Sequence, residues 1–197
     1  MKKLLYIFSL ALLLAGCNSV KKNQRLLAQG NYEQAIELAV KKLQKNTSSK
    51  KKDGHITVLE KAFQKNVAKD TRRISFLEKQ GNASGAKEIY YTYQNLAYIQ
   101  DKIRPLLPIY SNTLKRDAEF TLKDYSSKIL DAKKAYIAYL YDEAGLYMQY
   151  QTRKDYRTAY NIYCELEDVQ PGAGSNRLAH TAHGKIVHRR SKKVRVT

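Results

Sequence analysis

Apolar residues recur every three or four positions over two long stretches, and this spacing constrains the fold more than any other feature. In "TLKDYSSKILDAKKAYIAYLYDEAGLYMQY", residues 121–150, the series Leu122, Tyr125, Ile129, Ala132, Tyr136, Tyr139, Leu146 and Tyr150 is interrupted only by Glu143. Helical residues turn by about 100° each, so the series lines one side of a helix, whereas a half-buried strand would need strict alternation. Its persistence over about four heptads predicts a long helix packed in coiled-coil fashion, with Gly145 as a point of bending. The stretch "DGHITVLEKAFQKNVAKDTRRISFLEKQG", 53–81, carries a similar stripe through Ile56, Leu59, Phe63, Val67, Ile74 and Leu77, with polar Asp70 in the series.

Few residues interrupt these stripes. The 197-residue chain has 9 Gly, 3 Pro and no Trp, and is rich in Ala, Leu, Lys, Gln, Glu and Tyr. That composition favours helices over short strands joined by turns. The length suffices for one sizeable core or two small ones. Between the two stripes lies "KIRPLLPIY", 102–110, where Pro105 and Pro108 must end a helix, since proline lacks the N–H and clashes with the preceding turn.

The segment "LLAQGNYEQAIELAVKKLQKN", 26–46, has the layout of two helices joined at Gly30. Tyr32 opens the second helix, Ala35 is the small residue that lets helices approach, and Ile36, Ala39 and Leu43 continue its face. This Gly-x-Tyr-x-x-Ala-Ile pattern resembles a tetratricopeptide repeat (TPR). "FLEKQGNASGAKEIYYTYQNL", 76–96, echoes it with Gly81 and Ala86, and Ala83 in place of the tyrosine. "YQTRKDYRTAYNIYCELEDVQPG", 150–172, echoes it again through Tyr156, Ala159, Tyr160, Tyr163 and Pro171, with Lys154 at the turn-glycine position. Ala35, Ala86 and Ala159 are 51 and 73 residues apart, where uniform repeats would be about 34 apart. The expected fold is therefore all-α, an α-solenoid of TPR-like antiparallel hairpins with elongated helices and an insertion.

The N-terminus gives the compartment. Met1-Lys2-Lys3 is a short basic region, and "LLYIFSLALLLA", 4–15, is an apolar run of about 18 Å as a helix, short of a ~30 Å hydrocarbon core. It reads as a signal peptide rather than a membrane span. Its end, "LAGC" (Leu14, Ala15, Gly16, Cys17), resembles a bacterial lipobox. The resemblance implies cleavage between Gly16 and Cys17, a thioether-linked diacylglycerol on Cys17 and an acylated amine; only a thiol can accept the glyceride. By similarity to proteobacterial sorting, Asn18 rather than Asp after the cysteine favours the outer membrane. Surface-exported lipoproteins of Bacteroidota carry an acidic stretch there, and the basic "NSVKKNQR" favours the periplasmic face instead. A Gram-positive host stays open.

Together, the lipobox, the "GNYEQAIELAVKKL" hairpin, "ISFLEKQGN", "IRPLLPIY" and the last repeat ending at Pro171 resemble TPR-domain outer-membrane lipoproteins of Bacteroidota over residues 1–172. That resemblance brings no catalytic residues. The implied organisation is a signal peptide (1–16), a lipid-anchored tether (17–24), a TPR-like helical domain (25–171) and a basic tail (172–197). The tail, "GAGSNRLAHTAHGKIVHRRSKKVRVT", has three histidines, no acid and no strong apolar face. It is expected to be mostly disordered, apart from a short helix near Leu178.

The side chains favour binding over catalysis. Two cysteines make no disulfide framework, and Cys164 reads as a small buried apolar residue rather than a nucleophile. His180, His183 and His188 lie in cationic surroundings that oppose a metal, so no metal or cofactor is expected. No phosphate-binding glycine loop or catalytic triad is legible, and the protein is not expected to be an enzyme. Most of the 16 tyrosines fall between residues 90 and 163. They serve interhelical packing, or line a surface that binds peptide or stacks on sugars. The formal charge of +18 and the six lysines of "KKLQKNTSSKKKDG", 41–54, read as solvated surface or as contact with anionic lipid or an acidic partner. The export signal argues against nucleic acid. The expected function is a lipid-anchored scaffold for an unidentified protein or peptide. The alternative is an envelope-binding module for glycan, peptidoglycan or anionic lipid through tyrosines and lysines.

Overall fold

The computed structural model of the protein describes residues 18–45, 49–172 and 174–194. The fold is all-α with one minimal hairpin. Its helices are α1 (Asn18–Ala28), α2 (Tyr32–Leu43), α3 (Ser49–Gln80), α4 (Ala86–Ile103), α5 (Ser126–Tyr150), α6 (Arg153–Val169) and α7 (Ser175–Val194). Strands β1 (Tyr110–Ser111) and β2 (Arg116–Asp117) pair antiparallel, Tyr110 opposite Asp117. The chain forms two compact units. One comprises residues up to Ser75 and Gln94–Tyr125, the other Phe76–Tyr93 and the residues from Ser126 on, so α3 and α4 contribute to both.

The stripe of residues 53–81 becomes the core-facing side of α3. In the first unit Ile56, Leu59 and Phe63 bury against Ile36, Val40 and Leu43 of α2 and against Ile99 and Ile103 of α4. Phe120 closes this core, its ring edge-on to Phe63 at 5.4 Å between centroids. Asp70, the polar member of the stripe, is also buried. It accepts from Asn66 Nδ2 at 2.9 Å and lies 3.3 Å from Lys69 Nζ, and burial raises its pKa. The proline-bearing segment behaves as its chemistry requires: α4 stops at Ile103 and a single 3-10 turn, Arg104–Leu106, follows.

Three expectations are corrected. Residues 17–24 were expected to be a tether, but α1 begins at Asn18 and packs as a helix, because Val20 and Asn23 find partners on α3. A helix was expected over 121–150, but it starts at Ser126. Leu122 instead leaves the helical stripe and packs with Phe120 against the first unit's core. The preceding chain is irregular, with the Leu122 N–H donating to the Phe120 carbonyl at 3.0 Å. Gln100 holds it there by donating from Nε2 to the Lys123 carbonyl at 3.0 Å while accepting from the Lys123 N–H, much as a neighbouring strand would.

The third correction concerns residues 172–197, expected to be mostly disordered apart from a short helix near Leu178: a helix is there, but it runs over Ser175–Val194, with Ala179 and Ala182 buried. Its apolar side is made mostly of alanines, which bury little area but allow close approach to α6. Its start is organised from the preceding helix: Glu167 accepts from the Gly172 N–H at 2.8 Å and from the Ser175 hydroxyl. The second unit's core is otherwise built from Tyr136, Leu140 and Ala144 of α5, from Ala159, Tyr163 and Leu166 of α6, and from Ala86 and Tyr90 of α4.

Candidate functional site

The first unit carries an open groove between α2 and the C-terminal half of α4, about 290 Å³ in volume. The helical period explains its layout. Ile36, Val40 and Ile99 form an apolar floor, buried to 1 %, 5 % and 5 % exposure. Residues one position or one turn away rise as walls. On the α2 side these are Glu33 and Glu37 in the first half of the helix, Lys41 in its last turn and Gln44 just past its end. On α4 they are Asn95, Tyr98 and Lys102. Tyr98 is half exposed, and the Lys102 ammonium lies 4.9 Å from its ring centroid, a cation–π pair. Glu33 and Lys41 are eight residues apart on α2, about 12 Å along the axis. The groove therefore carries acid toward one end of α2, base toward the other, and aliphatic surface between. This placement also suits the helix dipole, with acids early and lysines late. Glu33 is 3.8 Å from Lys69 Nζ; both side chains are about half exposed, so this pair is weak and exchangeable with an incoming charge.

A second constellation fixes the frame of the same unit. Asp53, buried on α3, accepts from the Ser111 hydroxyl at 2.8 Å, from the Thr113 N–H at 3.0 Å and from the Thr113 hydroxyl. Burial alone would raise its pKa, but these donors outweigh it and the carboxyl stays below its ordinary value. Two turns on, Glu60 accepts from the Glu119 N–H at 3.0 Å and pairs with Arg116 at 2.9 Å. These two acids pin the β1–β2 hairpin to α3. Their acceptor positions are occupied by the hairpin, so they act as struts rather than as free acid–base groups.

In the second unit Glu165 receives both Lys87 Nζ and the hydroxyl of fully buried Tyr136. Burial and this carboxylate push the Tyr136 hydroxyl far above its ordinary range, while Lys87 and Tyr136 hold Glu165 low. The trio links α4, α5 and α6.

The residues singled out from sequence fall as follows. Gly30 occupies the α1–α2 turn at φ +78°, a left-handed conformation that disfavours a side chain, and the Asn31 N–H closes the turn on the Leu26 carbonyl at 2.9 Å. Tyr32 is the first residue of α2, and Ala35 is fully buried. Gly81 has φ +60° after α3, and Ala86, 8 % exposed, is the first residue of α4. Tyr156 and Ala159 are buried in α6, but the turn before them is not at Lys154, which is helical. It is at Gln151, φ +56°, followed by Thr152, whose hydroxyl caps α6 by accepting from the Asp155 N–H at 3.2 Å. The three alanines thus share burial but not a common position in their helices. Pro171 lies in the turn after α6. Leu14, Ala15, Gly16 and Cys17 lie outside the described residues.

Cys164 is a half-buried free thiol. Among the described residues no three His, Cys, Asp or Glu groups are placed to hold a metal ion; His183 packs on Tyr160, and the His188 side chain is outside them. His55, which no sequence motif marks, is fully buried beneath α1. The groove was missed because its two walls come from helices about 60 residues apart.

Among known proteins, residues 1–18 match the prokaryotic membrane lipoprotein lipid attachment site. No curated protein and no solved structure matches the chain. Among the described residues no helix is long and apolar enough to cross a membrane. The chain is an all-α lipoprotein, anchored to its membrane through this N-terminal attachment site.

Proposed function

We propose that this lipoprotein is a periplasm-facing docking scaffold of the outer membrane, modified at Cys17, that receives a short peptide segment of a partner in the α2–α4 groove. The groove is the observation that carries the reading: a hydrophobic floor between an acidic and a basic end suits an apolar segment flanked by opposite charges. An extended chain rises about 3.3 Å per residue, so the ~12 Å between Glu33 and Lys41 accommodates about four residues. The basic end of the ligand would lie by Glu33 and Glu37, its acidic end by Lys41 and Lys102.

The Gly30 turn and buried Ala35 support a TPR-like first hairpin, on which such use of a helical groove would be natural. The 32-residue α3 is nearly as long as a whole repeat of about 34 residues, which supports a hairpin grafted onto a longer helical frame rather than a uniform array. The asparagine and basic residues after Cys17 support the outer membrane and its periplasmic face. No catalytic role is assigned.

Selection of random peptides on the mature protein tests the reading. Enriched peptides should carry a central aliphatic pair flanked by a basic and an acidic residue. Tyr98→Ala and Lys102→Glu should weaken their binding at least tenfold without changing the helical circular dichroism. Selection of unrelated sequences, or binding indifferent to both substitutions, would count against the groove.

A further inference from the structure

The lipid attachment site spans residues 1–18, and α1 begins at Asn18. Consecutive Cα atoms lie 3.80 Å apart, so no length of chain separates the attachment site from the first helical turn. That turn is fastened to the body of the first unit. Asn23 is fully buried and donates from Nδ2 to His55 Nδ1 at 3.1 Å. Val20 rests on Gly54 of α3, where an added Cβ would come within 2.8 Å of a Val20 methyl. Only glycine lets α1 lie this close to α3.

Opposite these contacts α1 is strongly basic. Lys21, Lys22 and Arg25 are exposed, and the sequence of the helix, "NSVKKNQRLLA", contains no acid. They follow the helix start by three, four and seven residues, about 5–11 Å along its axis. Lysines in a first turn face the positive end of the helix dipole, an arrangement that disfavours the helix by itself. A negatively charged surface at that end reverses the sign of the interaction.

We propose that α1 is a membrane-contact helix. The lipid holds the chain at the bilayer, and Lys21, Lys22 and Arg25 seat the first unit directly against anionic phospholipid headgroups, rather than letting it swing on a tether. Each basic residue near an anionic surface multiplies partitioning about fivefold, so the three together contribute about a hundredfold at low ionic strength. The effect falls away at distances beyond the ~8–10 Å Debye length, and Lys21 and Lys22 lie within that distance of the start of α1, with Arg25 at about its limit. This seating is independent of any ligand in the groove.

The test uses the full-length lipidated protein in vesicles. A fluorophore is placed on Gln24→Cys, an exposed α1 position between the basic residues, in a Cys164→Ala background. Quenching by headgroup-nitroxide lipid is compared in phosphatidylcholine vesicles and in vesicles with about one-third phosphatidylglycerol. Quenching should be at least threefold stronger in the anionic vesicles. It should fall to the phosphatidylcholine level in the K21Q/K22Q/R25Q variant and in ~0.5 M salt. Equal quenching in the two vesicle types would overturn the proposal, because lipid attachment alone would then set the position. Weak quenching in both would overturn it too, by placing α1 away from the bilayer. The vesicle comparison needs only the labelled protein, so it stands even if the triple variant misfolds.

Discussion

Asn23 and His55, 32 residues apart in sequence, meet at 3.1 Å in a site from which both are fully excluded from solvent. With Asn23 Nδ2 facing His55, Nδ1 accepts and the imidazole proton is assigned to Nε2, 3.4 Å from the Ser19 hydroxyl oxygen, while Asn23 Oδ1 is buried without a hydrogen-bond partner. This pair joins the helix nearest the lipid to the helix that organises the first unit. It works only with a neutral imidazole.

That requirement gives a pH dependence. Burial, then the nearby Lys42 charge, lowers the His55 pKa below its ordinary 6.5. The unfolded chain therefore binds a proton at a pH where the folded chain does not. Stability from this site is present in full above about pH 6.5 and is lost as pH falls from there toward the folded-state pKa. Chemical denaturation of the mature protein between pH 5 and 8 should show a midpoint falling toward pH 5. His55→Gln should flatten that part of the profile. An unchanged slope in the variant would place the titrating group elsewhere.

The Asp53 strut predicts a local effect with a global cost. Removing the carboxylate in Asp53→Ala leaves the Ser111 hydroxyl and the Thr113 N–H without their buried acceptor. The loss should be about 2–4 kcal/mol, read from denaturant midpoints. Amide exchange over 110–117 should quicken more than exchange in α6. Because the folded-state pKa is lowered, this contribution is present above pH ~4 and disappears as pH falls through the folded-state value.

Ala35 and Ala182 test two close helix approaches, one in each unit. Both are fully buried, on α2 and α7. A carboxylate in either place cannot be solvated, and Ala35→Asp should cost at least ~3 kcal/mol and unravel the α1–α2 hairpin. Ala182→Asp should similarly release α7 from α6, seen as loss of helical circular dichroism and early proteolysis after Gly174. A disordered tail would tolerate that second substitution with no change.

Tyrosine titration reports on the second unit. The Tyr136 hydroxyl donates to Glu165 in a buried setting, and Tyr139, bonded to Glu143, is pushed up to about 12. Ultraviolet titration should show a late-ionising fraction that includes both: Tyr139 at about pH 12, and Tyr136 only as the fold is lost. Tyr136→Phe should remove one late-ionising group and cost about 1 kcal/mol, since Lys87 still partners Glu165.

What was legible in the sequence was what depends on neighbours along the chain. The Ile56–Leu77 stripe gave α3 because the helical period is local, and Pro105 and Pro108 marked its partner's end because proline acts on the preceding turn. The β1–β2 hairpin was not legible: its determinants, Asp53 and Glu60, lie 56–60 residues from the groups they bind. The α6 turn hid behind Gln151, which adopts a left-handed backbone without being glycine. The last helix was masked by its charge, since its stripe is alanine and the acid that organises its start, Glu167, belongs to α6. The groove could not be found from either wall alone.

The most direct test of the account concerns its anchor. Cells expressing the full-length chain are fed a fatty-acid analogue that can be coupled to a fluorophore, and the purified protein is examined for incorporation. The account predicts a labelled protein in the membrane fraction and no label in Cys17→Ser. Continued lipid incorporation by the serine variant, or an unlabelled parent protein, would contradict it.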